Sequence, residues 1–159
     1  RKMADSLPIL NNLGRGFVHG WAEDSADGMV PISASRMKEA GLTTADLARL
    51  GSVNLKQERV EPLKPGGARH PGVFATRGND YLPSVLVDEG FWQRVAGPQA
   101  GKDVSVCLPA RHELFVHVPA LDPSGRVDFA ALCRQLAQNA APMFSDRVVR
   151  RVGGQWLLN

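Results

Sequence analysis

Residues Gly72–Val118 read GVFATRGNDYLPSVLVDEGFWQRVAGPQAGKDVSVCLPARHELFVHV. This stretch predicts a strand, a short strand at Pro83–Val87, a helix, and then two strands joined by a tight turn. In the last two strands, Val104–Leu108 and Leu114–Val118, apolar residues alternate with others, which is typical of strands with one buried face. The sequence therefore predicts an antiparallel hairpin whose tip carries Arg111–Glu113.

The helices of the C-terminal half have clear boundary signals. Asp88 can cap the first one, which Gly97–Pro98 stops. Asp128 can cap the second one, and Pro142 ends it. Apolar residues of this second helix recur every three or four positions over Phe129–Ala140, which predicts one continuous apolar stripe.

The N-terminal part predicts strands before helices. Residues 1–16 form a lead-in segment, in which Asn11–Gly14 resembles a helix end or a turn. Residues 17–24 predict a strand, residues 25–28 a turn, and residues 29–33 a short returning strand.

Two helices follow this hairpin. Ser33 or Ser35 can cap the first helix. Thr43 and Asp46, three residues apart, resemble a capping box for the second helix, which is expected to run to about Gln57.

The remaining segments complete the fold prediction. Residues 61–71 hold three prolines and two glycines and indicate a surface loop. Residues 146–159 predict a hairpin with a turn at Gly153–Gly154. Because hairpin-like strand pairs alternate with helices, we expect one α+β domain over residues 1–159, with a largely antiparallel sheet and helices packed mainly on one face.

The composition is that of a globular protein. The 159 residues are 43% hydrophobic and 22% charged, with 19 basic and 16 acidic side chains. A net charge of +3 is too small to indicate a nucleic-acid partner by itself. No apolar run approaches the roughly 18 residues of a membrane-spanning helix, and no signal peptide opens the chain, so we expect a cytoplasmic protein. The chain does not begin with Met. A fragment of a longer protein or a remnant of cloning would explain this start.

The two cysteines, Cys107 and Cys133, lie in apolar segments. A disulfide-stabilised scaffold of this length would have more of them. We expect both to be buried free thiols. The alternative is a single bridge in a secreted protein.

Several short motifs follow one another in a suggestive order. They comprise Asn54, Leu55, Gly72, Phe74, Ser84–Val87, Phe91, Trp92, Pro109, Arg111 and Leu114. Their order resembles the YtpQ-like proteins, a bacterial family of unknown function. The similarity spans about residues 30–118, and His112 departs from it, because the family pattern has Asp there. The resemblance implies a fold and a bacterial origin, but no mechanism.

No catalytic, cofactor-binding or metal-binding residue is assigned. The four histidines have no metal-ligand spacing, although His112 and His117 could approach each other across the hairpin turn. No nucleophile motif and no phosphate-binding loop is present. Arg111, His112 and Glu113 are the one titratable cluster at a turn, where a solvated hairpin tip is the simplest interpretation.

Five residues are candidates for binding a partner: Arg111, His112, Glu113, Arg147 and Arg151. We expect a non-enzymatic protein-binding domain, most specifically a cognate immunity or adaptor protein that occludes a protein partner. The alternative is a nucleic-acid-binding domain that uses the basic C-terminal strand, where Arg147 and Arg151 are expected on one face and Arg150 on the other. A hydrolase-like enzyme that uses Arg111, His112 and Glu113 is the third possibility.

Overall fold

The computed structural model describes residues 6–158. The chain divides into two compact units, one that ends at Gln57 and one that covers Glu58–Leu158. The single domain expected from the sequence stays a prediction. Within residues 6–158, no helix has the length and apolarity needed to cross a lipid bilayer.

The first unit contains two antiparallel hairpins followed by two helices. The elements are β1 (Leu10–Gly14), β2 (Phe17–Gly20), β3 (Ala22–Ser25), β4 (Gly28–Pro31), α1 (Ala34–Glu39) and α2 (Thr44–Gln57). The β3–β4 hairpin turns at residues 25–28, as predicted, and Ser25 Oγ donates to the Gly28 carbonyl at 3.0 Å.

The prediction of a helix end or turn at Asn11–Gly14 is wrong, because these residues belong to β1. The turn lies one step later, where Gly14, Arg15 and Gly16 all have positive φ. Two glycines around one left-handed residue make this conformation accessible. The predicted strand over residues 17–24 is divided between β2 and β3.

The helix caps follow the sequence signals. Ser33, one of the two candidates, caps α1 by accepting a hydrogen bond from the Arg36 N–H. At α2, the Asp46 N–H donates to Thr43 Oγ1 at 3.2 Å, and the Thr43 N–H donates to Asp46 Oδ2 at 2.9 Å. This reciprocal pair is the predicted capping box, and α2 ends at Gln57 as expected.

The second unit is built on a six-stranded antiparallel sheet in the order β10-β9-β7-β8-β6-β5. The α+β prediction with a largely antiparallel sheet is confirmed, as is the central β7–β8 hairpin. The elements are β5 (Lys64–Pro65), β6 (Val73–Arg77), α3 (Glu89–Ala96), β7 (Val104–Ala110), β8 (Glu113–His117), α4 (Phe129–Asn139), β9 (Val148–Val152) and β10 (Gln155–Leu157).

Both faces of this sheet are covered. The face with Cys107 packs against α4, in a cluster that includes Val73, Phe115 and Phe129. On the opposite face, Trp92 of α3 contacts Trp156 of β10 edge-on, with ring centroids 5.1 Å apart. The sequence placed the helices mainly on one face, whereas the structure divides them between the two.

Residues 83–87 do not form the predicted short strand. Residues 83–86 belong to a 3-10 helix, Leu82–Leu86, in which Leu82, Val85 and Leu86 are buried, and Val87 is its C-terminal cap. These positions have helical spacing, but a short apolar run is equally compatible with a strand. Packing therefore decides the conformation here.

The prediction of two free thiols is also wrong. Cys107 of β7 and Cys133 of α4 form a disulfide, with their Cα atoms 5.8 Å apart. Cys107 points to the sheet face on which α4 packs, and the helical stripe directs Cys133 toward it. The pairing thus follows from the packing of α4, which spacing along the sequence does not reveal.

Candidate functional site

The hairpin tip places three of the predicted residues together. Arg111 and His112 are exposed in the turn between β7 and β8, and Glu113 begins β8. The Glu113 carboxylate forms an ion pair with Arg77, with Oε1 3.0 Å from Nε, which ties the tip to β6. The tip therefore has two exposed polar side chains beside one ion pair.

A small cleft of about 220 Å³ adjoins this tip. His112, Glu113 and Arg77 line it on one side, and Leu136 and Asn139 of α4 line it on the other. Its volume is below the 300–1,000 Å³ typical of small-molecule sites.

The two histidines of the hairpin do not meet. His112 is exposed at the tip, whereas His117 lies at the other end of β8 and is 8% exposed. Within residues 6–158, no group of three or more His, Cys, Asp or Glu side chains is arranged to hold a metal ion.

The candidate Arg151 is buried rather than presented at the surface. It is 3% exposed, and its guanidinium donates to Glu89 Oε1 at 2.7 Å and to the Gly154 carbonyl at 2.6 Å. The rings of Trp92 and Trp156 lie 5.7 Å and 5.5 Å from it. Arg151 therefore joins β9 to α3 and is not part of an accessible basic strand.

The candidate Arg147 is exposed and directly precedes β9. Val148 pairs with Cys107, and Arg151 pairs with Val104, so Arg147 and Arg151 lie near opposite ends of the strand. The structure consequently does not combine the five predicted residues into one surface.

A groove of about 610 Å³ in the second unit lies at the N-terminal half of α4. Three segments line it: the loop before β6, the loop before α4, and α4 itself. The lining residues are Ala68, Arg69, His70, Pro71, Ser124, Arg126, Val127, Asp128, Ala131, Leu132 and Gln135.

The groove has an excess of cationic side chains. Arg69 and Arg126 are exposed, and neither guanidinium has an ion-pair or hydrogen-bond partner among residues 6–158. The one acidic side chain of the lining, Asp128, accepts from the Ala131 N–H at 2.9 Å as the cap of α4. Two arginines and one aspartate thus line the groove, and no ion pair joins them among residues 6–158, so the groove keeps an excess positive charge.

Gly72 holds the two loops of the groove close together. Its φ is +73°, and a Cβ there would approach the Val118 carbonyl oxygen to 2.7 Å and the Asp122 nitrogen to 3.2 Å. Only glycine fits this contact.

Asp122 organises the loop before α4. It is buried, and it accepts from Ser124 Oγ at 2.6 Å and from the Val127 N–H at 3.2 Å. The Ser124 hydroxyl, with further help from the Val127 N–H and from nearby His117, holds the pKa of Asp122 below its usual value, although burial opposes this shift.

His117 lies behind this loop, with its ring stacked on Phe129 at a centroid distance of 5.5 Å. Its Nε2 is 3.6 Å from Asp122 Oδ2. The pair is buried next to the groove but is not part of its lining.

The first unit buries few of its large apolar side chains. Among its described residues, Phe17 and Leu47 are the buried hydrophobic ones, whereas seven large hydrophobic residues are exposed. The exposed ones are Leu7, Leu10, Val18, Met29, Val30, Leu50 and Val53.

Two of these residues share one face of the β1–β2 hairpin. Leu10 pairs with Gly20 and Asn12 pairs with Val18, so these four lie on one side, here called the outer face. Leu10 is 60% exposed and Val18 is 58% exposed, while Phe17 on the opposite side is buried. The outer face contains no charged residue.

Sequence reasoning missed both the groove and the outer face. The groove combines two loops that are more than 50 positions apart in the chain, and the sequence predicts only a surface loop over residues 61–71. At the outer face, residues 9–13 read Ile-Leu-Asn-Asn-Leu, so no alternation of apolar and polar residues marks the strand.

No protein-family model, no curated protein and no solved structure matches this chain. The resemblance to the YtpQ-like proteins therefore stays a prediction.

Proposed function

We propose that this chain is a protein-binding domain without catalysis of its own, which acts by covering a surface of its partner. The observation that carries the proposal is the exposure of seven large hydrophobic side chains in a unit with two buried ones. Exposed apolar clusters on folded proteins generally mark surfaces that another protein covers. A cognate immunity protein or an adaptor of bacterial origin is the most specific form of this function.

The contact surface we assign to the partner includes the outer face. Leu10 and Val18 offer adjacent apolar side chains, and packing against them desolvates no charge on this side. The polar tip at Arg111–Glu113 is a second candidate contact, because tips on rigid hairpins often carry recognition residues.

We place this function in an oxidising compartment. A cytoplasmic location is expected from the sequence, but disulfides persist mainly outside the reducing cytosol. The Cys107–Cys133 pairing supports this choice.

Affinity capture from the native cell with quantitative mass spectrometry tests the proposal. The wild type is compared with Leu10→Glu plus Val18→Glu, and with a control, Ala45→Glu plus Ala48→Glu, that adds the same charge at exposed positions of α2. We expect a protein that the wild type and the control retain and the outer-face variant loses. Equal retention of every captured protein by all three would contradict the proposal.

A further inference from the structure

We propose that the groove at α4 is a second binding site, which takes carboxylate groups carried on an apolar chain. The source of such a ligand is either an acidic segment of a protein or a free small carboxylic acid. This inference rests on the second unit alone and goes beyond the proposed function, which rests on the first.

The charge of the groove selects for an anion. Arg69 and Arg126 line the groove from two different loops, before β6 and before α4, and His70 lies next to Arg69. A guanidinium presents paired N–H donors that match the two oxygens of a carboxylate. Since neither guanidinium is ion-paired with Asp128 or with another described residue, both arginines are available to an external acid.

The size and the apolar part of the lining define the rest of the ligand. A volume of about 610 Å³ lies within the range of known ligand sites. Pro71, Val127 and Leu132 give the groove apolar walls, on which aliphatic carbons can pack. A bare inorganic anion would leave this surface uncovered, so we assign the groove to acids with an apolar portion.

The walls are held in place before any ligand arrives. Gly72 allows the close approach of the two loops, and Asp122 fixes the second loop through Ser124 and Val127. The Cys107–Cys133 bridge anchors α4 to the sheet behind the groove. A preorganised site avoids the entropic cost of ordering loops on binding.

Isothermal titration calorimetry with chosen probes tests the assignment. The probes are a blocked Leu-Glu-Leu-Glu-Leu peptide, its Leu-Gln-Leu-Gln-Leu counterpart, glutarate and inorganic phosphate. The protein is used as wild type, as Arg69→Gln plus Arg126→Gln, and as a control, Arg134→Gln plus Arg150→Gln, which removes two exposed arginines outside the groove.

We expect the Glu peptide, glutarate or both to bind the wild type and the control equally, and the groove variant about tenfold more weakly. Tighter binding of the peptide identifies a protein segment as the source, and tighter binding of glutarate identifies a free acid. The inference is overturned if neither acid binds, if the Gln peptide or phosphate binds as tightly as the acids, or if the groove variant keeps full affinity. Leu10 and Val18 are untouched in every variant, so this outcome does not affect the test of the proposed function.

Discussion

At the scale of single residues, charge alone does not tell which arginines are available to a partner. Arg150 and Arg151 are neighbours in β9, yet Arg150 is exposed and Arg151 is buried between two tryptophans. The guanidinium tolerates this burial because it is weakly hydrated and its flat faces stack on aromatic rings. Sequence patterns give the strand face but not this stacking.

We expect Arg151→Ala to lower the free energy of unfolding by about 2 kcal/mol, because it removes the stacking on Trp92 and Trp156 and the packing of the side-chain methylenes. The pair with Glu89 adds little, since that carboxylate is 56% exposed and screened by water. Urea unfolding measures the effect. Arg150→Ala is the control and should stay within about 0.5 kcal/mol of the wild type. Equal losses of unfolding free energy in both variants would show that the contacts of Arg151 with Trp92 and Trp156 do not contribute to stability.

Asp122 should make the free energy of unfolding depend on pH in the acidic range. The pKa of the Asp122 carboxyl is lower in the folded protein than in the unfolded chain. Its contribution to the free energy of unfolding is therefore present above the unfolded-state pKa and is lost as the pH falls through the folded-state pKa. We therefore expect the wild type to exceed Asp122→Asn in unfolding free energy at neutral pH, with the difference closing below about pH 4. Urea unfolding across this pH range measures it. A difference that stays constant with pH would exclude this role of the carboxylate.

At the scale of elements, the sequence predicts where helices and strands begin and end better than it predicts which of them pack together. The caps at Ser33, Thr43, Asp88 and Asp128 are local signals, and each is confirmed as a side-chain hydrogen bond. The predicted strand at residues 83–87 is wrong because the conformation of this segment depends on packing against residues elsewhere in the fold, which bury Leu82, Val85 and Leu86. The groove and the disulfide were missed for the same reason, since both arise where α4 meets distant residues.

The link between β7 and α4 should be chemically detectable. We expect thiol labelling of the denatured protein to count no free cysteine before reduction and two after it, because Cys107 and Cys133 are paired. Two thiols without reductant would contradict the pairing. Refolding under reducing conditions should give a protein that is about 3 kcal/mol less stable to urea, as loss of a cross-link of this loop length implies.

At the scale of the whole molecule, the proposed partner surface and the groove lie on different units of the chain. Each can therefore be altered by substitution while the residues of the other stay unchanged. A binding domain with two independent surfaces is suited to an adaptor, which contacts more than one partner.

We expect no binding of duplex DNA at physiological salt. A net charge of +3 gives little long-range attraction, and the burial of Arg151 removes one member of the basic strand. Fluorescence anisotropy with labelled duplex measures this. Sub-micromolar binding that weakens with salt and is lost in Arg147→Ala plus Arg150→Ala would favour the nucleic-acid alternative instead.

The most direct measurement of the central claim is the dissociation constant of the purified partner for three proteins: the wild type, Leu10→Glu plus Val18→Glu, and Ala45→Glu plus Ala48→Glu. Circular dichroism first verifies that all three are folded alike. Burying a carboxylate in an apolar interface is costly, so we expect the outer-face variant to bind at least about tenfold more weakly, and the α2 control to bind like the wild type. Equal dissociation constants for all three would contradict the outer face as the partner surface.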